Sequence, residues 1–370
     1  MNTTSRAFRN LCIIEAMLAF ATTLASPFVS IFLFRKSFLG IISIANFYGI
    51  CFAWCVVFCV LFQYFPVRNA RTAISLSMAV LMLFYLGIWL LPTFWVFVFV
   101  PLVYALYVMW FWLPFNFLFC ELTSKGDRGT TIGLTFFLFP IIQLVMPMLA
   151  GALISSEGYN QLFAITSLIL LISVGLPFFL LTGKWGIIKQ KAKLDFRPFG
   201  KALCAGLVLQ GIQDGIFFFL IPLALLRITG GEFGVGVAMS LFAVGGAGGA
   251  IVVARLSDKS GDRATWLRTC ALATVPLLVV VGLFPTLYVL MVCIGIAQLT
   301  IYVVSIFVMT MSVDKNEDHM PTALLSRELL LELGRALGAV SIVIVWLVWH
   351  QLFLGFIVAA IAIGASSVAK

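Results

Sequence analysis

The sequence predicts an all-α integral membrane protein with twelve transmembrane helices arranged as two six-helix bundles. Hydrophobic residues make up 63% of the 370 residues and charged residues only 10%, with a mean hydropathy of +1.15. A soluble domain is about half apolar and about a quarter charged. The apolar residues form runs of about 20, the helical length that crosses a bilayer. The basic residues lie mostly between these runs.

Twelve apolar runs are long enough to be transmembrane helices. The first six predicted spans are residues 10–34, 40–63, 72–91, 94–121, 130–154 and 160–182. The last six are residues 201–226, 233–255, 265–284, 286–311, 323–348 and 351–368. Because twelve spans need about 240–260 residues, only short loops remain. A soluble catalytic domain does not fit into them, so we do not expect an enzyme.

Lysine and arginine set the predicted orientation, because they are enriched in the cytoplasmic loops of membrane proteins. Of the 23 basic residues, 18 lie at span ends on the same side as the N-terminus. The three on the other side are Arg35, Lys36 and Arg227. We therefore expect both termini to be cytoplasmic. The compact loops, and a first apolar run too long for a signal peptide, favour a prokaryotic cytoplasmic (inner) membrane.

The longest charged connection divides the chain almost in half. It contains the basic sequence KQKAK, and six predicted spans lie on each side of it. Such a layout is typical of transporters that are built from two related helical repeats. We predict an N-terminal six-helix bundle at residues 1–183, a basic cytoplasmic linker at 184–200 and a C-terminal six-helix bundle at 201–370.

The most specific local motif lies between predicted spans eight and nine, in residues 254–263. It resembles the loop signature G-x-L-x-D-[RK]-x-G-[RK]-[RK] of the major facilitator superfamily (MFS) of secondary transporters. The matching residues are Leu256, Asp258, Lys259, Gly261 and Arg263. Ala254 and Asp262 depart from the signature, and the corresponding loop between spans two and three lacks it. The alternative interpretation is a simple basic turn on the cytoplasmic side.

The resemblance implies a secondary transporter that works by alternating access. It also implies that spans one, four, seven and ten line a central cavity, and that Asp258, Lys259, Gly261 and Arg263 act in gating. Polar side chains occur at helical spacing on all four of these spans. The candidates for lining the substrate cavity are Thr22, Ser26, Tyr104, Tyr107, Asn116, Gln210, Phe217, Gln298 and Tyr302.

Two carboxylates inside predicted spans are candidates for proton coupling. Glu15 lies in span one and Asp214 in the middle of span seven. An ionisable group inside the membrane is costly unless it is paired or hydrated, and such groups mark proton pathways. For both residues the alternative is a structural carboxylate that is bound to its neighbours. For Glu15 this includes pairing with a basic residue near the cytoplasmic end.

Span eleven carries a group of charged residues near its start. These are Arg327, Glu328, Glu332 and Arg335. Because residues three, four and seven positions apart share a helix face, we predict an interbundle charge network, with Glu15 or Asn46 as the partner of Arg335. The alternatives are a static ion pair and direct contact between Arg335 and a substrate.

The sequence gives no pattern for a cofactor or a metal. Cys51, Cys55 and Cys59 recur every four residues on span two, but without a nearby histidine or carboxylate in the sequence they are typical of an apolar stripe. The net charge of +9 is spread over loops and forms no contiguous surface for a nucleic acid. The expected partners are the bilayer, protons and a small-molecule or lipid substrate, and we expect a monomer.

The leading hypothesis is therefore a secondary active transporter of a small amphipathic or hydrophobic solute. Coupling to protons is expected, and efflux is the favoured direction. The first alternative is a flippase or transporter of lipids or lipid-linked sugars on the same fold. The second is a membrane receptor that does not transport. A membrane-embedded transferase would need a catalytic cluster of histidine, aspartate or cysteine, which the sequence does not contain.

Overall fold

A computed structural model of the chain describes residues 3–36, 40–65, 67–122, 128–181, 192–260, 263–314 and 319–367. In some helical segments it describes the backbone but not the side chains. These segments are residues 3–5, 128–140, 247, 249–260, 263–264, 302–303, 306–307, 309–311 and 313–314.

The described part of the first half contains seven α-helices. They are α1 (Thr3–Lys36), α2 (Ile41–Phe62), α3 (Ala70–Leu90), α4 (Thr93–Leu122), α5 (Arg128–Glu157), α6 (Tyr159–Val174) and α7 (Leu176–Leu180). The α6 and α7 helices together occupy the sixth predicted span and are separated at Gly175. This glycine precedes Pro177, which has no backbone N–H to continue the first helix.

The described part of the second half begins with a short 3₁₀ turn (Arg197–Phe199) and contains six α-helices. They are α8 (Gly200–Thr229), α9 (Glu232–Ser260), α10 (Arg263–Leu283), α11 (Leu287–Asp314), α12 (Met320–Trp349) and α13 (Leu354–Ser366). Each of the twelve predicted spans therefore corresponds to a helix or, for the sixth, to a pair of helices. The predicted all-α class is confirmed.

The helices have the length and composition of membrane spans. Among the described residues, eight helices contain an apolar window long enough to cross a bilayer, and four further apolar segments are 10–17 residues long. Large apolar side chains also cover the outside, as in Leu171, Ile172, Phe179 and Leu347, each more than half exposed. A helix that is apolar on all sides needs an apolar environment on all sides. Lipid supplies it on the outer surface.

Two helix pairs make most of the contact between the two halves of the chain. Helix α5 packs along α9, and α2 packs along α12. The α5–α9 contact is close because small residues let the backbones approach. A Cβ atom added at Gly151 would lie 2.6 Å from the carbonyl oxygen of Glu232, and one added at Gly236 would meet the carbonyl oxygen of Pro147. The backbone N–H of Met148 also donates to Ser240 Oγ at 3.1 Å.

The end of the connection between the halves is hydrogen-bonded to the start of α12. Residues 182–191 of the predicted linker lie outside the described residues. After them, the backbone N–H of Lys193 donates to Thr322 Oγ1 at 3.2 Å, and that of Asp195 donates to Ser326 Oγ at 2.9 Å. Hydrogen bonds from Arg197 hold the pKa of Asp195 at about 2, below its usual range. We call this end of the molecule, where α1, α8 and α12 begin, the linker end, and the other the far end.

Candidate functional site

A central cavity of about 600 Å³ lies between the two halves of the chain. Helices α1 to α5 line it on the N-terminal side, and helices α8, α9, α11 and α12 line it on the C-terminal side. Pro27 of α1 and Pro222 of α8 both contribute to the lining. This volume lies within the usual range for pockets that bind a drug-sized ligand.

The N-terminal wall of the cavity is rich in aromatic residues. Its aromatic residues are Tyr48, Phe52, Phe84, Tyr85, Tyr104, Tyr107 and Trp112. From the other half, Phe218 of α8 reaches this wall, with its ring centroid 5.3 Å from that of Tyr48 and 5.9 Å from that of Phe52. The neighbouring Phe219 stacks on Tyr48 at a centroid distance of 5.4 Å. Aromatic contacts therefore join α2 and α8 beside the cavity.

The C-terminal wall mixes apolar residues with the charged residues that line the cavity. Helix α8 presents Gln210, Gln213, Asp214 and Phe217 to the cavity, because residues three and four positions apart lie on one helix face. Gln210 Nε2 donates to Ser305 Oγ of α11 at 3.1 Å. Helix α12 adds three charged side chains to the same wall, so that all four charged residues lining the cavity come from the C-terminal half.

Glycines bring α8 and α12 into close contact behind this wall. A Cβ atom added at Gly211 would lie 2.9 Å from the Cα of Gly334, and one at Gly215 would lie 2.6 Å from the Cα of Arg335. An alanine at either position would force the backbones apart. The absence of side chains is thus what places the charges of α12 beside Asp214.

Five charged side chains of α8 and α12 form one group, which we call the charged cluster. Arg335 Nη1 contacts Glu332 Oε1 and lies 3.8 Å from Glu328 Oε1, while Nη2 of the same guanidinium lies 3.8 Å from Asp214 Oδ2. Arg327 Nη1 lies 3.3 Å from Glu328 Oε2. The charged cluster faces the other half of the chain, where Cys55 of α2 lies next to Glu332.

The charged cluster has more acids than bases. It contains three carboxylates, of Asp214, Glu328 and Glu332, and two guanidinium groups, so that its formal charge is −1 when all five groups are ionised. Glu332 is fully buried, and its Oε2 atom has no hydrogen-bond partner among the described residues. A surplus negative charge at this depth is unfavourable. Binding one proton or one other cation neutralises it.

The structure places most of the predicted cavity residues together. Eight of the nine line the cavity, namely Thr22, Ser26, Tyr104, Tyr107, Asn116, Gln210, Phe217 and Gln298. The side chain of the ninth, Tyr302, lies outside the described residues. Asp214 also lines the cavity, whereas Glu15 is not among the lining residues. Proton coupling through Glu15 therefore stays a prediction that the cavity geometry does not support.

The partner predicted for Arg335 was wrong. Among the described residues its ion-pair partners are Asp214, Glu328 and Glu332, not Glu15 or Asn46, and Asn46 is exposed. The glycine contact between α8 and α12 explains the difference, because it brings a carboxylate of the same half close to the guanidinium. The ion pairs of the charged cluster thus lie within the C-terminal half.

Two other sequence features have different outcomes. In the MFS-like loop, Gly261 lies outside the described residues, as do the side chains of Asp258, Lys259 and Arg263. Their gating role stays a prediction. No group of three or more His, Cys, Asp or Glu suited to a metal ion occurs in the part of the chain that is described. Cys59 instead lies 3.4 Å from the sulfur of Met109.

Sequence reasoning missed a contact between the halves at the far end. Arg35, at the end of α1, forms an ion pair with Glu232 at the start of α9. Tyr159 Oη donates to the same carboxylate at 3.0 Å. We call these three residues the far-end latch. The adjacent Lys36 donates to the carbonyl oxygens of residues 88, 89 and 91 at 2.9–3.0 Å, which satisfies the C-terminus of α3.

The fold resembles solved transporter structures along the whole chain. The crystal structure of the human organic anion transporter MFSD10 (TETRAN) matches with a TM-score of 0.74, covering 99% of each chain at 14% identity. The chain has the major facilitator fold. A bacterial homologue of the iron transporter ferroportin, in an outward-facing state, matches with a TM-score of 0.72 at 13% identity and covers 100% of this chain and 98% of its own.

Sequence comparisons add less than the fold comparison. No protein-family model matches the sequence. The uncharacterized protein YqgE of Bacillus subtilis (strain 168) is 26% identical over 147 residues, which is 36% of this chain and 34% of that protein. The match thus spans about a third of the length of this relative. The major facilitator fold and the apolar helices together make the chain an integral membrane protein with multiple spans.

Proposed function

We propose that this protein is a secondary active transporter of a small amphipathic solute, coupled to protons and working by alternating access. The observation that carries the proposal is the central cavity with its two unlike walls. The aromatic wall is suited to an apolar body, and the charged residues of the C-terminal wall to a head group. Both halves of the chain contribute to it, so that a movement of one half against the other changes access to the bound solute.

The charged cluster is the proposed coupling site. The charged groups that act on Asp214 are Arg335, Arg327 and Glu328 of α12. With its formal charge of −1, the cluster binds one cation favourably, either a proton or a positively charged solute. The two occupants compete for Asp214, which lines the cavity. Such competition couples the release of one to the binding of the other.

In the proposed cycle, contacts between the halves close the cavity at the far end and at the linker end in turn. The far-end latch and the α5–α9 backbone contact hold the far end together and must separate when that end opens. The MFS-like loop, with Asp258, Lys259, Gly261 and Arg263, is proposed to act at the linker end. Each end would then open only when the contacts at that end break.

The orientation and direction follow from charge. We propose that the linker end and both termini are cytoplasmic, because the basic residues concentrate there. We propose that the protein is a monomer in a prokaryotic inner membrane. If protons and solute are exchanged, an inward proton gradient drives the solute outward, which makes export the proposed direction. The structural neighbours are named as transporters of organic anions and of iron. Because one fold supports many cargoes, their cargo does not set the cargo proposed for this chain.

The test uses purified protein in vesicles that contain an internal pH dye. A panel of amphipathic cations, sugars, amino acids and short-chain lipids is added outside. We expect a proton flux with one class, absent in Asp214→Asn and retained in Glu157→Gln. Glu157 is exposed at the end of α5 and serves as the matched control. If the folded protein gives no proton flux with any compound of the panel, proton coupling is contradicted. Lipid flipping by the protein in the same vesicles would favour the flippase alternative.

A further inference from the structure

Three polar side chains of the cavity are nearly inaccessible yet incompletely hydrogen-bonded. Gln210 is 5% exposed, Gln213 is 1% exposed and Arg327 is 9% exposed. Gln210 Oε1, Gln213 Nε2 and Arg327 Nε have no hydrogen-bond partner among the described residues. A buried donor or acceptor without a partner costs about 1–3 kcal/mol. All three residues line the cavity, and a ligand would satisfy the three atoms once the side chains turn toward it.

The two free amide groups on α8 form a donor and acceptor pattern. Gln210 and Gln213 are three residues apart on the same helix face, so their side chains are neighbours. One offers an acceptor, the Oε1 of Gln210, and the other a donor, the Nε2 of Gln213. A hydroxyl group both donates and accepts, and a single hydroxyl between the two amides would satisfy both.

Asp214 lies directly after this pair. Its nearest described charge partner is Arg335 at 3.8 Å, which is longer than a hydrogen bond. The guanidinium is shared with Glu328 and with fully buried Glu332. The charged cluster therefore retains one uncompensated negative charge. An anionic head group would add to that charge, whereas a single positive charge would neutralise it.

The opposite wall fixes the rest of the ligand. Tyr48, Phe52 and Tyr104 line the cavity, and Phe218 of α8 lies against all three rings. Such a group of rings favours contact with a further aromatic ring at the cavity, and aromatic rings also stabilise an adjacent cation. The cavity thus matches a ring at one side and a charged, hydroxylated head at the other.

We infer that the substrate of the proposed transport function is an aromatic compound with one protonated amine and a neighbouring hydroxyl. The amine binds Asp214, and the hydroxyl binds between Gln210 and Gln213. This inference rests on the proposed function, because it names the class of solute that the same cavity would transport. Unlike the proposed function, it can be tested by measuring ligand binding alone, without a transport assay.

The test compares four ligands that share one phenyl ring. They are phenylethanolamine, with amine and hydroxyl, 2-phenylethylamine, with the amine only, 2-phenylethanol, with the hydroxyl only, and mandelate, with a hydroxyl and a carboxylate. Dissociation constants are measured by ligand-observed NMR on the detergent-purified full chain, which detects weak binding. We expect the affinity to fall in the order given, with phenylethanolamine about tenfold tighter than 2-phenylethanol.

Two variants assign the head-group contacts. In Gln213→Leu, phenylethanolamine should weaken about three- to tenfold, to the level of 2-phenylethylamine, whose own affinity stays the same. In Asp214→Asn, the two amines should lose their advantage over 2-phenylethanol. The wild-type ligand order tests the inference even if a variant fails to fold.

The outcomes separate the two proposals. Tightest binding of mandelate, equal affinity for all four ligands or no binding by any of them overturns the inference. Solute-driven proton flux with a neutral or anionic cargo would leave the transport proposal standing and overturn the inference. Conversely, the expected ligand order without any flux would support the site and contradict proton-coupled transport.

Discussion

Arg335 of α12 and Asp214 of α8 face each other at the cavity, with Nη2 of the guanidinium 3.8 Å from Oδ2 of the carboxylate. The same guanidinium contacts Glu332 and lies 3.8 Å from Glu328. One cation therefore lies between three anions on two helices. Because α12 also packs along α2 of the other half, a change of charge at Asp214 acts at the boundary between the halves.

Replacing Arg335 by glutamine should destabilise the protein strongly. The change leaves three carboxylates with Arg327 as the remaining cation of the cluster, and breaking a buried ion pair costs on the order of 3–5 kcal/mol. The measurement is denaturant unfolding in detergent, followed by tryptophan fluorescence. Arg335→Gln combined with Glu332→Gln should recover part of the loss, because the double variant removes a charge of each sign.

The control for this prediction is Arg227→Gln. Arg227 is exposed at the end of α8 and contacts only the ring of Phe353, at 5.9 Å from its centroid, among the interactions of the described residues, so its replacement should cost at most about 1 kcal/mol. Equal stabilities of Arg335→Gln and the wild type would show that the guanidinium does not hold the charged cluster together. A double variant no more stable than Arg335→Gln would argue against its pairing with Glu332.

The close contact of α8 and α12 should not tolerate an added methyl group. In Gly211→Ala the new Cβ would meet the carbonyl oxygen of Leu331 and the Cα of Gly334. Such overpacking costs about 1–3 kcal/mol and should move Asp214 away from Arg335. Thermal unfolding and the solute-driven proton flux measure the two effects.

Gly206 provides the matched control on the same helix. A Cβ added there meets nothing within 4 Å, and alanine is the better helix former. Gly206→Ala should therefore be neutral or slightly stabilising. If Gly211→Ala were as stable and active as Gly206→Ala, the backbone contact would not be what positions the charged cluster.

The fold could be predicted from the sequence because each span is a long apolar run with its own boundaries. Helical periodicity identified polar faces on α1, α4, α8 and α11, since a helix face is a local property, and the resemblance to the MFS implied that these faces meet at one cavity. The partner of Arg335 depended on how closely α8 and α12 approach, which no local pattern gives. Gly211 and Gly334 were the available signal, but glycine is also common in membrane helices that do not touch.

The far-end latch was missed for the same reason. Arg35 was interpreted as an orientation signal, and Glu232 lies just before the eighth predicted span. Their pairing joins α1 to α9, which are distant in the sequence and in different halves. A local analysis of charge in loops gives topology but not pairing across the interface between the halves.

The aromatic wall should set the affinity for solutes with a ring. Phe218 lies against Tyr48, Phe52 and Tyr104, and an aromatic pair contributes about 0.5–1.5 kcal/mol beyond its buried area. Phe218→Ala should raise the KM for a transported aromatic solute about three- to tenfold. The effect should be smaller for a solute of equal charge without a ring.

Phe179→Ala serves as the control for this prediction, because Phe179 is 81% exposed on the outer surface. Its transport kinetics should equal those of the wild type. A KM that rose equally for aromatic and aliphatic solutes in Phe218→Ala would indicate a general disturbance of the cavity. It would argue against a ring-binding wall.

The far-end latch should control access to the cavity from that end. Arg35 and Glu232 lie in different halves and pair beside the α5–α9 contact, so the pair must break before the far end opens. Partly exposed ion pairs contribute about 0.2–1 kcal/mol. Arg35→Gln should therefore raise the population open at the far end about two- to fivefold.

Labelling of a cavity cysteine measures this population. Ser26→Cys, in a chain whose eight native cysteines are replaced, places a thiol in the cavity. A membrane-impermeant maleimide added at the far end should react about two- to fivefold faster in Arg35→Gln than in the parent. Arg227→Gln, which removes a charge at the same end, should not change the rate. The exchange Arg35→Glu with Glu232→Arg should restore it, because the pair re-forms with its charges reversed. Unchanged labelling in Arg35→Gln would mean that the backbone contacts around Gly151 and Gly236 hold the far end closed without the ion pair.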